Sequence, residues 1–312
     1  MSQEFSHITV LLEEAVTELV TDPDGFYIDG TFGRGGHSAR ILSCLSDQGR
    51  LLAIDKDPLA VAEAQRRFGD DPRFSIAHGS FNELAALVAA RGMTAQVTGV
   101  LLDLGVSSPQ LDDPSRGFSF QNDGPLDMRM NTAAGESAAE WINRATEAEI
   151  ADVLFHYGEE RFSRRMAKAV VAERASSPIT TTARLASIIT AANPRWEKGK
   201  NPATRAFQGI RIHINRELEE IETCLDQSLD VLAPKGRLVV ISFHSLEDRI
   251  VKRFIRKHVK GDEHLPAGLP FTQSMLNQRL NGIGKAVKAS AAEVEANPRA
   301  RSAVMRVAEK CA

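Results

Sequence analysis

Only three cysteines occur in 312 residues, Cys44, Cys224 and Cys311, and none lies in a Cys-x-x-Cys pair. A disulfide framework and a zinc site are therefore not expected, no metal centre is expected either, and each cysteine reads as a packing residue. No run of about eighteen apolar residues exists, so no membrane-spanning helix is expected. The opening Met1-Ser2-Gln3-Glu4-Phe5 lacks a basic stretch followed by an apolar one, which points to a cytoplasmic protein with no membrane partner. Internal repeats and low-complexity tracts are missing too. A composition of 43% hydrophobic and 25% charged residues excludes a disordered or fibrous chain.

The net charge of −3 argues against a nucleic-acid partner only as an average. Between His156 and Arg216 roughly a dozen Lys or Arg face about four acids. They are Arg161, Arg164, Arg165, Lys168, Arg174, Arg184, Arg195, Lys198, Lys200, Arg205, Arg211 and Arg216. A second run, Arg249, Lys252, Arg253, Arg256, Lys257 and Lys260, follows an apolar strand. Any one of these can be a solvated helix face, but the regional excess points to phosphate.

From Tyr27 to Asp103 strands and helices alternate. Strands are expected at 26–29, 50–55, 73–77 and 97–103, and helices at 35–46, 58–67 and 81–91. Thr9 can cap a preceding helix striped by Leu11, Leu12, Ala15, Val16 and Leu19. Such alternation predicts an α/β fold with a Rossmann-like, doubly wound sheet whose ligands bind beyond the carboxyl ends of the strands.

The pattern then stops for about 130 residues before Gly236–Phe243, where one crossover helix would suffice. An inserted helical domain accounts for the gap, with helices expected at 138–143, 147–155, 160–174 and 182–192. The stripe Ile210, Ile214, Leu218, Ile221, Leu225, Leu229 and Leu232 predicts one helix of about six turns leading back to the sheet. The expected organisation is residues 1–110 and 206–312 for the sheet domain and 111–205 for the insertion. Ser245 reads as the cap of a further helix, residues 261–298 as a long, partly ordered excursion, and 302–308 as a closing strand.

Three segments carry the chemistry. Asp29-Gly30-Thr31-Phe32-Gly33-Arg34-Gly35-Gly36-His37 leaves a strand through glycines that permit a sharp turn and close ligand approach. The spacing is not Gly-x-Gly-x-x-Gly, which weakens a dinucleotide reading, and Asp29 suits an S-adenosylmethionine site; a purely structural turn is the alternative. Asp55 ends the second strand where a ribose diol would sit, although it can also serve the helix start at Pro58. Phe81 follows the third strand, where its ring can cover an adenine or pack in the core.

Asp103-Leu104-Gly105-Val106-Ser107-Ser108-Pro109-Gln110 puts a carboxylate, hydroxyls and an amide on one loop, suited to orienting an exocyclic amine. Asp103, Ser108, Pro109 and His244 are the catalytic candidates; the alternatives are an Asx or Ser turn with no chemistry for the loop, and for His244 a contact to a phosphate or base or a role in fixing its own loop. Arg116 to Arg129, rich in Gly and Phe, reads as a nucleotide-clamping cleft loop or as an interdomain hinge. Arg116, Arg129, Arg161, Arg164, Arg165, Arg205 and Arg211 are the candidate RNA contacts.

These strings, with Gly117-Phe118-Ser119-Phe120, Asp127-Met128-Arg129, Ser242-Phe243-His244-Ser245-Leu246-Glu247-Asp248-Arg249 and Asn297-Pro298-Arg299-Ala300-Arg301-Ser302, run in order along nearly the whole chain. The chain resembles the ribosomal RNA small subunit methyltransferase H family, also called MraW. One departure is Thr9, where the family has Pro in His-x-Pro-Val. The resemblance implies a class I S-adenosylmethionine-dependent methyltransferase fold with a helical insertion. It further implies methylation of the N4 amine of a cytidine in the decoding region of 16S rRNA, with the small ribosomal subunit as partner. By its motifs Gly35, Gly36 and His37 hold the cofactor, Asp55 takes the ribose, and Phe81, Asp103 and Gln110 complete the site; Asp29 and Gly33 join from the turn itself. Alternatives are a methyltransferase for another nucleic-acid amine, a non-catalytic ribosome-assembly factor and, from the glycine turn alone, a nicotinamide-dependent oxidoreductase. Monomer and homodimer are both open.

Overall fold

The computed structural model describes residues 9–195, 201–261 and 277–312. The chain begins with α1 (Leu12–Leu19), β1 (Phe26–Asp29), α2 (Gly36–Cys44), β2 (Arg50–Asp55), α3 (Pro58–Phe68), β3 (Phe74–His78), α4 (Leu84–Ala89) and β4 (Val97–Asp103). Six helices follow: α5 (Ser108–Asp112), α6 (Ala138–Arg144), α7 (Glu147–His156), α8 (Ser163–Ser176), α9 (Thr182–Ala192) and α10 (Ala203–Asn215). The chain ends with α11 (Glu217–Val231), β5 (Leu232–Ser242), α12 (Ser245–Lys260), β6 (Leu280–Lys288), α13 (Ala291–Ala296) and β7 (Val304–Lys310). Among the described residues no helix is long and apolar enough to cross a membrane.

Two compact units divide this chain, one running to Gly105 and resuming at Leu218, the other spanning Val106–Glu217. The first holds a seven-stranded sheet in the order β3-β2-β1-β4-β5-β7-β6. Strands β1 to β5 pair in parallel, while β7 runs antiparallel to β5 and β6. Its central strands are apolar runs because both faces are covered. Ile28, Leu52, Val100, Leu102 and Val240 point to one face, against Leu84, Leu225 and Phe254. Their alternates Tyr27, Leu51, Leu101, Val239 and Ile241 point to the other, against Val16, Leu19 and Ile41. Strand order reverses between β1 and β4, and that switch point sets the ligand crevice at their carboxyl ends.

The second unit is helical, with its own core of Trp141, Ile142, Ile150, Leu154, Met166, Val170, Ile189, Phe207 and Ile210. It closes at Glu217, whereas the pattern placed the return at 206, because α10 sends Ala203, Ala206, Phe207 and Ile210 into this core. Its segment from Arg116 to Arg129 is anchored within this unit. Phe118, Leu126 and Met128 are buried in the same core, and Asn215 Nδ2 donates to the Met128 carbonyl at 2.8 Å.

Other expectations need correction. The helix expected to be capped by Thr9 starts at Leu12, after Leu11 takes φ 51° and its amide donates to Glu293 Oε1 at 2.7 Å. The six-turn return helix is two helices, broken at Arg216, whose φ of 52° ends α10 in the left-handed region. Leu232 belongs to the strand. Ser245 is the first residue of α12 rather than its cap, and His244 holds the cap position. Within the expected excursion, 280–288 is an edge strand and 291–296 a helix, while Pro266, Gly268 and Pro270 lie outside the described residues. Gly284 at φ 61° sits in a register shift between Ile283 and Val287, so a glycine that reads as loop punctuation marks a bulge on a sheet edge.

Candidate active site

Within the sheet unit, β1 delivers Asp29 and the chain turns at once. The Gly30 amide donates to the Leu101 carbonyl at 2.9 Å and that of Phe32 to the Ile54 carbonyl at 3.1 Å, pinning the turn between neighbouring strands. Gly35 has φ 73°, and a Cβ there would strike the Phe32 ring, so glycine is required both for the backbone and for space. Asp29 is 1% exposed, and its carboxylate accepts from Ser38 Oγ at 2.7 Å and from the Thr31 amide at 3.2 Å. Burial pushes its pKa up to about 6 against those two hydrogen bonds.

Asp55, at the end of β2, accepts from the Gly33 amide at 2.7 Å and the Asp57 amide at 2.8 Å. It therefore braces the glycine turn, a role that spacing alone did not reveal. A carboxylate has about four acceptor sites, so two remain for a diol. Burial raises this carboxyl to about 6 as well. The capping role weighed for Asp55 falls instead to Asp57, which accepts from the Leu59 amide at 3.0 Å. Phe81 opens a single 3-10 turn after β3, half-buried against the core, with its Cβ beside Gly30.

Asp103 ends β4, its amide donating to Thr31 Oγ1 at 2.7 Å. His37 is buried, with Nδ1 3.6 Å from Asp103 Oδ2, too long for a hydrogen bond. Asp103 Oδ1 is buried with no hydrogen-bond partner among the described residues. Burial, then the charges of Asp29 and Glu247, raise the Asp103 carboxyl well above its ordinary value. At the end of β5, Glu247 is fully buried; its Oε2 accepts from the amides of Phe243 at 2.7 Å and His244 at 3.2 Å. His244 Nε2 lies 3.1 Å from Glu247 Oε1. The first unit thus gathers Asp29, His37, Asp103, His244 and Glu247 at the carboxyl ends of β1, β4 and β5. Glu247 was missed: the chain offered His-x-x-Glu cap spacing, which was read one residue out of register.

In the helical unit, the Ser-Ser-Pro-Gln string is a helix start, not an open loop. Ser107 caps α5, Pro109 lies in its first turn, and Gln110 Oε1 accepts the Ser107 amide at 3.0 Å, a capping box. Ser108 and Pro109 are partly exposed there, and Gln110 is buried. Three candidate RNA contacts are engaged within this unit. Arg116 is buried and donates to the carbonyls of Arg129 and Met130; Arg129 forms a two-pronged pair with Asp127, and Arg211 one with Glu217. Arg205 is half-buried, whereas Arg161, Arg164, Arg165 and Lys168 are exposed; Lys198 and Lys200 lie outside the described residues.

A family model described as the MraW methylase family matches residues 4–311. The ribosomal RNA small subunit methyltransferase H of Chromohalobacter salexigens is 60% identical over 307 residues, 98% of this chain and 92% of its own. Looser likenesses among solved structures include an rRNA methylase from Streptococcus thermophilus, 11% identical with a TM-score of 0.38 over 96% of this chain and 92% of the other. The N-methyltransferase NodS from Bradyrhizobium japonicum is 11% identical with a TM-score of 0.37, over 92% and 86%.

Proposed function

Because this chain belongs to the MraW methylase family over residues 4–311, we propose that it methylates the N4 amine of a cytidine in the decoding region of 16S rRNA. The fold is that of the class I S-adenosylmethionine-dependent methyltransferases, with a helical insertion. The protein is an rRNA methyltransferase that uses S-adenosylmethionine; the choice of cytidine, atom and position is the proposal.

The observation that carries the reading is Asp103, whose buried Oδ1 has no hydrogen-bond partner among the described residues at the carboxyl end of β4. A buried acceptor without a donor is costly unless a ligand completes it. The glycine turn beside it provides backbone space, so these residues fit the cofactor. S-adenosylmethionine, when bound, supplies an electrophilic methyl on a sulfonium centre. Gly33, Gly35 and Gly36 would let its amino-acid portion approach the backbone, with Asp29 and His37 alongside. Asp55 would accept from the ribose hydroxyls, and Phe81 would cover the adenine.

The lone pair of a cytosine amine is delocalised into the ring, so the protein's task is to localise it. Asp103, once ionised, accepts an amine hydrogen and draws the nitrogen toward tetrahedral geometry. His244, aimed by Glu247, takes the proton that the methylated amine must shed. The base has to leave its stack to reach these groups. Exposed Arg161, Arg164 and Arg165 on the helical insertion would hold the RNA backbone.

The test is transfer of labelled methyl from S-adenosylmethionine to rRNA of small subunits from cells lacking this protein, with mass-spectrometric mapping of the product. One cytidine methylated on its exocyclic nitrogen is expected. Label on a ring carbon or a ribose oxygen would overturn the assignment.

A further inference from the structure

The strongest charge feature of the sheet unit lies outside the site just described. Helix α12 (Ser245–Lys260) carries Arg249, Lys252, Arg253, Arg256, Lys257 and Lys260, all exposed, with no acid between Arg249 and Lys260. At 3.6 residues per turn the six fall within about 140° of the helix circumference. The opposite side is core: Val251 and Phe254 are buried, with Ile250, Ile255 and Val259 packed beside them. None of Lys252, Arg253, Arg256 or Lys257 has an ion pair among the described residues, unlike Arg237, Arg279 and Arg306 of the same unit. Their charges also act on a neighbour, since burial and then Lys257 and Arg279 lower the pKa of His258.

We infer that this face of α12 is a rail for the RNA backbone on the sheet unit itself, distinct from the basic residues of the helical insertion; the inference rests on the proposed rRNA substrate. The helix starts one residue after His244, at the carboxyl end of β5, and leads away from the candidate site. From Arg249 to Lys260 the rail rises about 16 Å, the span of a few consecutive phosphates. RNA fits this surface better than an anionic bilayer does. A membrane-surface helix needs exposed apolar residues to sink below the headgroups, and the exposed large hydrophobics among the described residues, Leu59 and Phe155, lie on other helices. Cations without an apolar wedge are suited to phosphodiesters, where ion release supplies the affinity.

The test uses the full-length protein with Lys252→Gln, Arg253→Gln, Arg256→Gln and Lys257→Gln combined, all exposed positions outside the catalytic groups. A second variant, Lys252→Arg with Lys257→Arg, keeps the charge. The neutralised variant is expected to bind a 16S rRNA fragment at least tenfold more weakly, with the slope of log affinity against log salt shallower by about 3. The rRNA KM should rise with kcat and S-adenosylmethionine affinity unchanged, and the arginine variant should behave as the parent. Parental RNA affinity and salt slope in the neutralised variant would overturn the rail. So would unchanged RNA binding accompanied by lost sedimentation with phosphatidylserine vesicles, which would assign the face to membrane. Failure of the rRNA reading itself shows separately, as a parent protein that binds the fragment but methylates no cytidine.

Discussion

Asp29 and Asp55 stay near pKa 6 because burial outweighs the amides and hydroxyl that favour their ionised forms. Both values lie above those of the unfolded chain, so between about pH 4 and 6 the folded protein binds the more protons. Their contribution to stability is present below the unfolded value and is lost as pH rises through the folded one. Asp29→Asn is therefore expected to gain thermal stability relative to the parent at neutral pH, and the gain should vanish near pH 4; a pH series of thermal midpoints checks this. In the parent, S-adenosylmethionine affinity should rise between about pH 5 and 7 with proton release, read by calorimetry in buffers of different ionisation enthalpy. Gly35→Ala forces a φ of 73° on a residue with a Cβ and drives that atom into Phe32. A loss of about 1–3 kcal/mol in denaturant unfolding is expected, with cofactor affinity reduced. The acids at strand ends were legible because chain order places them there. Ser38 and Thr31 were not, since each matters only through a tertiary hydrogen bond to an aspartate or its backbone.

Strands β1, β2 and β4 were legible residue by residue because a strand buried on both faces must be an unbroken apolar run. Breaks were not. Periodicity carries straight through Arg216, yet one left-handed residue there separates α10 from α11. β5 hides a similar irregularity: Val97 pairs with Leu232 and Gly99 with Arg237, and the extra residues include exposed Lys235 at φ 63°. Glycine tolerates that conformation without a Cβ penalty of roughly 1–2 kcal/mol. Lys235→Gly is expected to stabilise the protein by about 0.5–1 kcal/mol in chemical denaturation, with activity unchanged. The bulge in β6 was missed for the same reason, because Gly282 and Gly284 read as loop residues until a partner strand is known.

Each of the two units has its own apolar core, and this separation can be tested. Replacing Arg161, Arg164 and Arg165 by Gln in the helical unit is expected to weaken rRNA binding about tenfold or more and flatten its salt dependence. S-adenosylmethionine affinity should be unaffected, as calorimetry would show, because the cradle belongs to the other unit. The existence of an insertion was legible from the missing alternation after Asp103, but its far boundary was not, since α10 and α11 carry one continuous stripe into two different cores. That arrangement bears on how the molecule is made. β4 and β5 lie side by side in the sheet, yet about 130 residues of chain come between them. At roughly 5–20 residues per second of synthesis, the β4 edge stands open for on the order of ten seconds on every nascent chain. The enzyme proposed to modify ribosomes is thus itself made with its sheet open at β4 for that interval, and the helical insertion can fold before the sheet is completed.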